Sequence, residues 1–195
     1  ASELLQRAPD GVALLADAAN LRPRQSGPLT AEFLATAARY DEAAEAVAAA
    51  LQAEGHEVWA IQADVRSKPA ADKVVADVVE KWGRLDILVN NAGIAVVCES
   101  ITEMSLEDFH LQNSINLDGV FLGLKHCIPV MSDSGGGSII NLSSVAGLKA
   151  APSLSAYAMT KGGVRLLSKS VAKECAAAGN GVRVNSVHPG IIDTA

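Results

Sequence analysis

Aromatic side chains are scarce in this chain, at 4% of 195 residues. Any core must therefore be aliphatic and rich in alanine. The apolar fraction of 49% is ample for one domain of this length. Cysteine is also sparse. Cys98, Cys127 and Cys175 are odd in number, far apart and without a Cys-x-x-Cys pair. That excludes a disulfide framework and a zinc spacing, and it fits reduced thiols in a cytoplasmic protein. His56, His110, His126 and His188 are scattered too, so no metal site is expected. Basic residues are outnumbered, 16 Lys and Arg against 22 Asp and Glu, for a net charge of −6. This argues against nucleic acid as a partner, which calls for a basic face. No basic amphipathic helix points to a membrane surface. No apolar run approaches the roughly 20 residues that span a bilayer. Ala1 to Asp10 lacks the basic start of a secretory leader.

What the chain does contain is an alternation of strand-like and helix-like segments. Val12–Leu15 and Phe33–Ala37 read as short strands, and 41–53 reads as an alanine-rich helix stopped by Gly55. Val58–Ala63 reads as a strand, and Ala70–Trp82 as a helix with Gly83 as its stop. Leu85–Asn90 reads as a buried strand. Ser105 with Asp108 marks a helix start, and that helix is expected to run to about Met131. Ile139–Leu142 is the next strand, Ser155–Ala178 a long helix, and Val182–Val187 a further strand. Such alternation implies βαβ units. The expected fold is α/β, a doubly wound parallel sheet of Rossmann type between two helix layers. The whole of 1–195 is expected to form one dinucleotide-binding domain. Ligands of these sheets lie at the carboxyl ends of the strands. Asn90, Ser144 and Pro189 all fall just past strand ends, so their segments should converge on one crevice.

The most informative spacing is Tyr157 with Lys161, one helical turn apart, and Ser144 thirteen residues before the tyrosine. A phenol ordinarily ionises near pH 10, too high for proton transfer at neutral pH. An ammonium at i+4 shares its helix face and favours the phenolate. At an effective dielectric of about 20, a full charge about 4 Å away is worth roughly 4 kcal/mol. A serine hydroxyl at a neighbouring strand end is suited to hydrogen-bond a substrate carbonyl or alcohol oxygen. Ser143 rivals Ser144 for that part, but neighbours along a strand face opposite sides.

These residues, with Asn90-Asn91-Ala92-Gly93, Asn116 and Pro189-Gly190-Ile191-Ile192-Asp193-Thr194, resemble the short-chain dehydrogenase/reductase family. The resemblance runs from about Val58 to the last residue; 1–55 diverges. It implies hydride transfer between a nicotinamide cofactor, NAD or NADP, and a secondary alcohol or ketone. Tyr157 would exchange the proton. Lys161 would assist it and hold the nicotinamide ribose. Ser144 would position the substrate oxygen. Asn116 would bend its helix and hold a water of the proton relay. Asp64 and Val65 would touch the adenine, and Asn90, Ala92 and Gly93 would lie along the adenosine. Pro189, Gly190, Ile192 and Thr194 would meet the nicotinamide amide and a cofactor phosphate. Bacterial alcohol and hydroxysteroid dehydrogenases look most similar between Gly137 and Gly190. A 3-ketoacyl-carrier-protein reductase would want a basic pocket mouth, which the overall acidity disfavours. The helices near Leu106–Met131 and Ser155–Ala178 are where the family pairs subunits, implying a homodimer or homotetramer.

The pattern departs from the family in two places. Where the glycine-rich phosphate loop belongs, the chain reads Ala16-Asp17-Ala18-Ala19-Asn20-Leu21. Alanine Cβ atoms obstruct the close approach of backbone amides to a pyrophosphate, and Asp17 repels it. Family members also continue beyond the segment that ends at Thr194, so the expected sheet is incomplete on its C-terminal side. Two explanations stand: a partial or altered form of an ordinary member, or a divergent one that binds without turnover. Arg39, near the end of the expected second strand, leans toward NADP, and the subfamily resemblance leans toward NAD.

Overall fold

The computed structural model describes residues 12–15 and 44–192. The expected strand at Phe33–Ala37 and the phosphate-loop segment Ala16–Leu21 lie outside the described residues, as do Arg39 and Thr194.

Strand β1 (Val12–Leu15) pairs in parallel with β2 (Val58–Ile61). The helix α1, described over 44–53, precedes β2. Helix α2 (Lys68–Trp82) begins where the Ala70 amide donates to Ser67 Oγ (3.3 Å) and has a proline in its first turn. Val74 and Val78, one turn apart, are its buried stripe. It stops at Gly83, whose φ of 73° is the left-handed conformation that favours glycine.

A second parallel sheet has the order β3-β4-β5, from Ile87–Asn90, Gly137–Leu142 and Val182–Val187. Between β3 and β4 run helix α3 (Leu106–Asn113), a π-helical turn at Ser114–Asp118 and helix α4 (Gly119–Asp133). After β4 a short 3₁₀ turn (Val145–Gly147) leads to α5 (Ser155–Ala178). The architecture is a Rossmann-like α/β fold with parallel strands.

Leu88, Val120, Leu124, Cys127, Met131, Ile139, Val164, Cys175, Val182 and Val184 form the main core, where the second sheet packs on α4 and α5. It holds no aromatic residue, as the composition requires. One expectation is corrected here. The β3 segment is buried on one side only: Leu88 is enclosed, whereas Ile87 and Val89 are each 46% exposed. Among the described residues β3 pairs with β4 alone, and its other face has no cover from α4 and α5. No helix among the described residues is long and apolar enough to cross a membrane.

Candidate active site

The described candidate residues stand at the ends of four strands, in the π turn and on α5. Asp64 and Val65 follow β2. Asn90, Ala92 and Gly93 end and follow β3. Ser144 follows β4, and Pro189, Gly190 and Ile192 follow β5. Asn116 lies in the π turn, and Tyr157 and Lys161 lie in the first two turns of α5. The carboxyl ends of the parallel strands thus carry the loops, the usual place for a ligand crevice.

The centre of the arrangement is Lys161. Its residue is only 5% exposed. A buried ammonium must be compensated, and Nζ donates to the Leu142 carbonyl at 2.8 Å. Nζ also lies 5.8 Å from the centroid of the Tyr157 ring, within cation–π range. Gly93 is what lets the chain pass here, since a Cβ at that position would stand 3.0 Å from Lys161 Nζ. The Tyr157 side chain is half-buried, neither sealed in the core nor free in solvent.

Asn116 ties the loop after β3 to α5. The Ile94 amide donates to its Oδ1 (2.8 Å), while its Nδ2 donates to the Ile94 carbonyl (2.9 Å) and to Thr160 Oγ1 (2.9 Å). These partners fix which way the amide faces. Thr160 in turn donates to the Tyr157 carbonyl (2.8 Å). Asn116 lies in the π-helical turn Ser114–Asp118, and such turns are frequent at functional sites. One turn earlier, Gln112 Oε1 accepts from the Val96 amide (2.7 Å), so two side chains of one helix clamp the same loop.

The two serines after β4 face different ways. Ser143 is buried and donates to the Lys161 carbonyl at 2.7 Å, pinning the turn to the helix. The contact is close: a Cβ at Gly147 would come within 2.6 Å of the Lys161 carbonyl carbon. Ser144 is half-buried, and its Oγ accepts from the Ala146 amide (3.1 Å), which leaves the hydroxyl proton to be given elsewhere.

The adenine-side candidates have contacts of a different kind. The Asp64 carboxylate accepts from the Arg66 guanidinium (2.7 Å at Nη2) and from the Arg66 amide (2.9 Å). That hydrogen bonding holds the Asp64 carboxyl below its ordinary range and raises Arg66, against a smaller opposing effect of burial. The cap of α2 is Ser67, so Asp64 is not spent on that duty. Val65 packs with Ile94, Ile115, Val96 and Leu111. Asn90 turns its side chain inward, donating to Asn141 Oδ1 (2.8 Å), and Asn141 Nδ2 donates to Ser168 Oγ (2.9 Å). Only the Asn90 backbone therefore remains for the crevice.

Sequence reasoning missed Thr160, Gln112 and His188. For Thr160 a signal was present. Ala156, Thr160, Val164 and Ser168 recur every fourth residue and are all buried, so each hydroxyl in that apolar stripe had to find a partner.

The family profile described as short chain dehydrogenase matches residues 29–195. An NADP-dependent (R)-specific alcohol dehydrogenase of Lentilactobacillus kefiri is 43% identical over 135 residues, 69% of this chain and 53% of that protein. A 3-oxoacyl-[acyl-carrier-protein] reductase of Synechocystis is 41% identical over 157 residues, 80% of this chain and 62% of that protein. The solved structure of an NAD+-bound xylitol dehydrogenase aligns with a TM-score of 0.75 at 32% identity, covering 79% of this chain and 58% of that one. The chain thus spans between half and two thirds of the length of the curated relatives it matches. With a match this long and this specific, the chain belongs to the short chain dehydrogenase family.

Proposed function

We propose that the chain is an oxidoreductase of secondary alcohols and ketones, working with NAD or NADP. The observation that carries this is the Lys161 ammonium, buried and held 5.8 Å from the Tyr157 ring at the mouth of a parallel sheet. A lysine is buried this far only where its charge is used or fully paired.

The nicotinamide half of a dinucleotide fits the residues present: Lys161 as a donor, Ser144 with a hydroxyl proton to give, and the backbone of Pro189 and Gly190 at the end of β5. When bound, the cofactor supplies the hydride acceptor or donor. The protein's part is the proton. In oxidation the Tyr157 phenolate takes the proton of the alcohol O–H as the carbinol hydride leaves. In reduction the phenol returns a proton to the ketone oxygen. Ser144 holds that oxygen, and the Lys161 ammonium stands 5.8 Å from the centroid of the Tyr157 ring. Asn116 fixes the Ile94 backbone beside the lysine, and through Thr160 it also fixes the first turn of α5. Asp64, Val65, Asn90, Ala92 and Gly93 are assigned to the adenosine side, and Ile192 and Thr194 to the cofactor amide and phosphate.

Relatives of both cofactor preferences exist, so NAD and NADP both stand. An acyl-carrier substrate is the less favoured alternative on charge, because an acidic carrier protein would meet a chain of net charge −6. A binding or partner subunit without turnover is favoured by one feature, Asp17 within a segment without glycine where the phosphate loop belongs. Phe121 on α4 and Leu166 on α5 are 49% and 62% exposed, which supports self-association through these helices as a homodimer or homotetramer. Free cysteines at all three positions support a cytoplasmic setting.

Calorimetric titration of the 195-residue chain with NADH and NADPH, followed by a ketone and alcohol screen, tests the reading. Saturable binding with turnover is expected. Binding without turnover would favour the silent subunit, and a folded chain that binds neither nucleotide would refute both.

A further inference from the structure

The turn after β4 is tied to the loop after β5 by a short ladder that continues past both strands. The Ser143 amide donates to the Val187 carbonyl (2.8 Å), and the Val145 amide donates to the Pro189 carbonyl (3.0 Å). In the reverse direction the ladder lacks a donor, because Pro189 has no N–H. The donor it would have supplied belongs to the Ser143 carbonyl, and the next residue, Ser144, is the one assigned to the substrate oxygen. There the His188 ring intervenes. Its Nδ1 lies 3.3 Å from the Ser144 carbonyl oxygen, and its Nε2 lies 3.1 Å from Ser186 Oγ.

These partners define the ring. A carbonyl only accepts, so Nδ1 carries the proton. In a neutral imidazole Nε2 is then bare and accepts from the Ser186 hydroxyl. Ser144 is consequently held from two sides, its carbonyl by His188 and its Oγ by the Ala146 amide. Its backbone is extended, at φ −164° and ψ 159°, and sets where the hydroxyl points.

We propose that His188 is a positioning residue that aims the Ser144 hydroxyl at the substrate oxygen, by donating to the Ser144 carbonyl. This rests on the reading of Ser144 given above. His188 itself transfers no proton and touches no reacting atom in this account.

The test measures kcat and KM for ketone reduction with the native chain, His188→Ala, His188→Asn, Ser144→Ala and the double variant His188→Ala/Ser144→Ala. Thermal melts check that each is folded. His188→Ala should lower kcat by about 3- to 10-fold, the rate equivalent of one neutral hydrogen bond, with cofactor KM unchanged. An asparagine amide places a donor near the Nδ1 position, so His188→Asn should return kcat to within about 2-fold of native. In the Ser144→Ala background, His188→Ala should cost nothing further, because residues that act through one another are not additive. An equal extra loss in both backgrounds, or an asparagine variant as slow as the alanine one, overturns the proposal.

A readout independent of turnover is the ¹⁵N spectrum of the His188 ring at neutral pH. Nδ1 protonated and Nε2 bare is expected; the opposite tautomer overturns the contact and the proposal with it. A native chain without turnover, or Tyr157→Phe as fast as native, refutes the catalytic reading of the site. The positioning role then falls too, while the tautomer still reports whether the contact itself exists.

Discussion

The β2–α2 region and the crevice at the ends of β3, β4 and β5 are held together by different physics. Around β2 and α2 most of the polar contacts are ion pairs between near neighbours in sequence: Asp64 with Arg66, Lys68 with Asp72, Lys73 with Asp77, and Arg84 with Asp86. All lie in solvent or at its edge. At the crevice the contacts are mostly neutral, buried and distant in sequence, such as Asn116 with Ile94 and Thr160, Asn90 with Asn141, and Ser143 with the Lys161 carbonyl. Exposed pairs contribute little and are screened by salt. Buried hydrogen bonds contribute modestly when made but cost heavily when broken from one side. The contrast teaches that the proton-transfer end is built to stay in register, whereas the assigned adenine end sits on contacts that a ligand can displace cheaply.

The largest effect should come from Asn116→Leu, which strands the Ile94 amide and carbonyl in the interior and removes the donor to Thr160 Oγ1. With about 1–3 kcal/mol for each orphaned group, the variant should lose about 3 kcal/mol or more in urea unfolding. A loss under about 1 kcal/mol would mean that the crevice is not rigid in the way described.

Thiol chemistry gives an intermediate test. Burial pushes the Cys127 thiol up to about 12, and Cys175 is also enclosed, whereas Cys98 is half-buried near the crevice loop. Native protein at pH 8 should react quickly at Cys98 alone, and all three thiols should react after unfolding. Rapid labelling of Cys127 in the folded chain would show that the core side of the comparison opens easily.

The smallest effect belongs to Arg66→Ala. It should cost under about 1 kcal/mol at neutral pH, and less in 1 M salt. Because Arg66 holds the Asp64 carboxyl below its unfolded value, the stabilisation is present above that value and is lost as pH falls through the folded one. Native and variant curves of stability against pH should therefore converge on the acid side. Divergence there would reverse the sign of the coupling.

The sequence disclosed the regular parts of this molecule well and the cross-connections poorly. Helix Ser155–Ala178 and strand Val182–Val187 appear with the bounds that the apolar pattern and the Gly179 stop imply. β2 and β3 are shorter than the expected Val58–Ala63 and Leu85–Asn90, because a parallel ladder extends only as far as a neighbour accompanies it. Apolar periodicity alone gave one uninterrupted helix from Ser105 onward. The π turn at Ser114–Asp118 breaks it with a single extra residue, too small a phase change for the apolar period to reveal. The expectation of a bend came from family resemblance. The Tyr157–Lys161 spacing was visible because both residues share one helix face. The partners of His188, 44 residues away at Ser144, were not, since nothing local in Ser186-Val187-His188 says what the ring will meet. Likewise, Leu85–Asn90 read as a buried strand because of its apolar content, although Ile87 and Val89 lie half exposed.

The central claim is that Tyr157 moves the proton, with the buried Lys161 beside its ring. Its most direct test is single-turnover ketone reduction by the native chain and by Tyr157→Phe, with NADH and NADPH binding measured on both. The account predicts a loss of about 10²–10⁴-fold in rate, the usual contribution of a positioned acid–base group, with cofactor affinity little changed. Turnover by the phenylalanine variant within about 3-fold of native would place the acid–base group elsewhere and contradict the account.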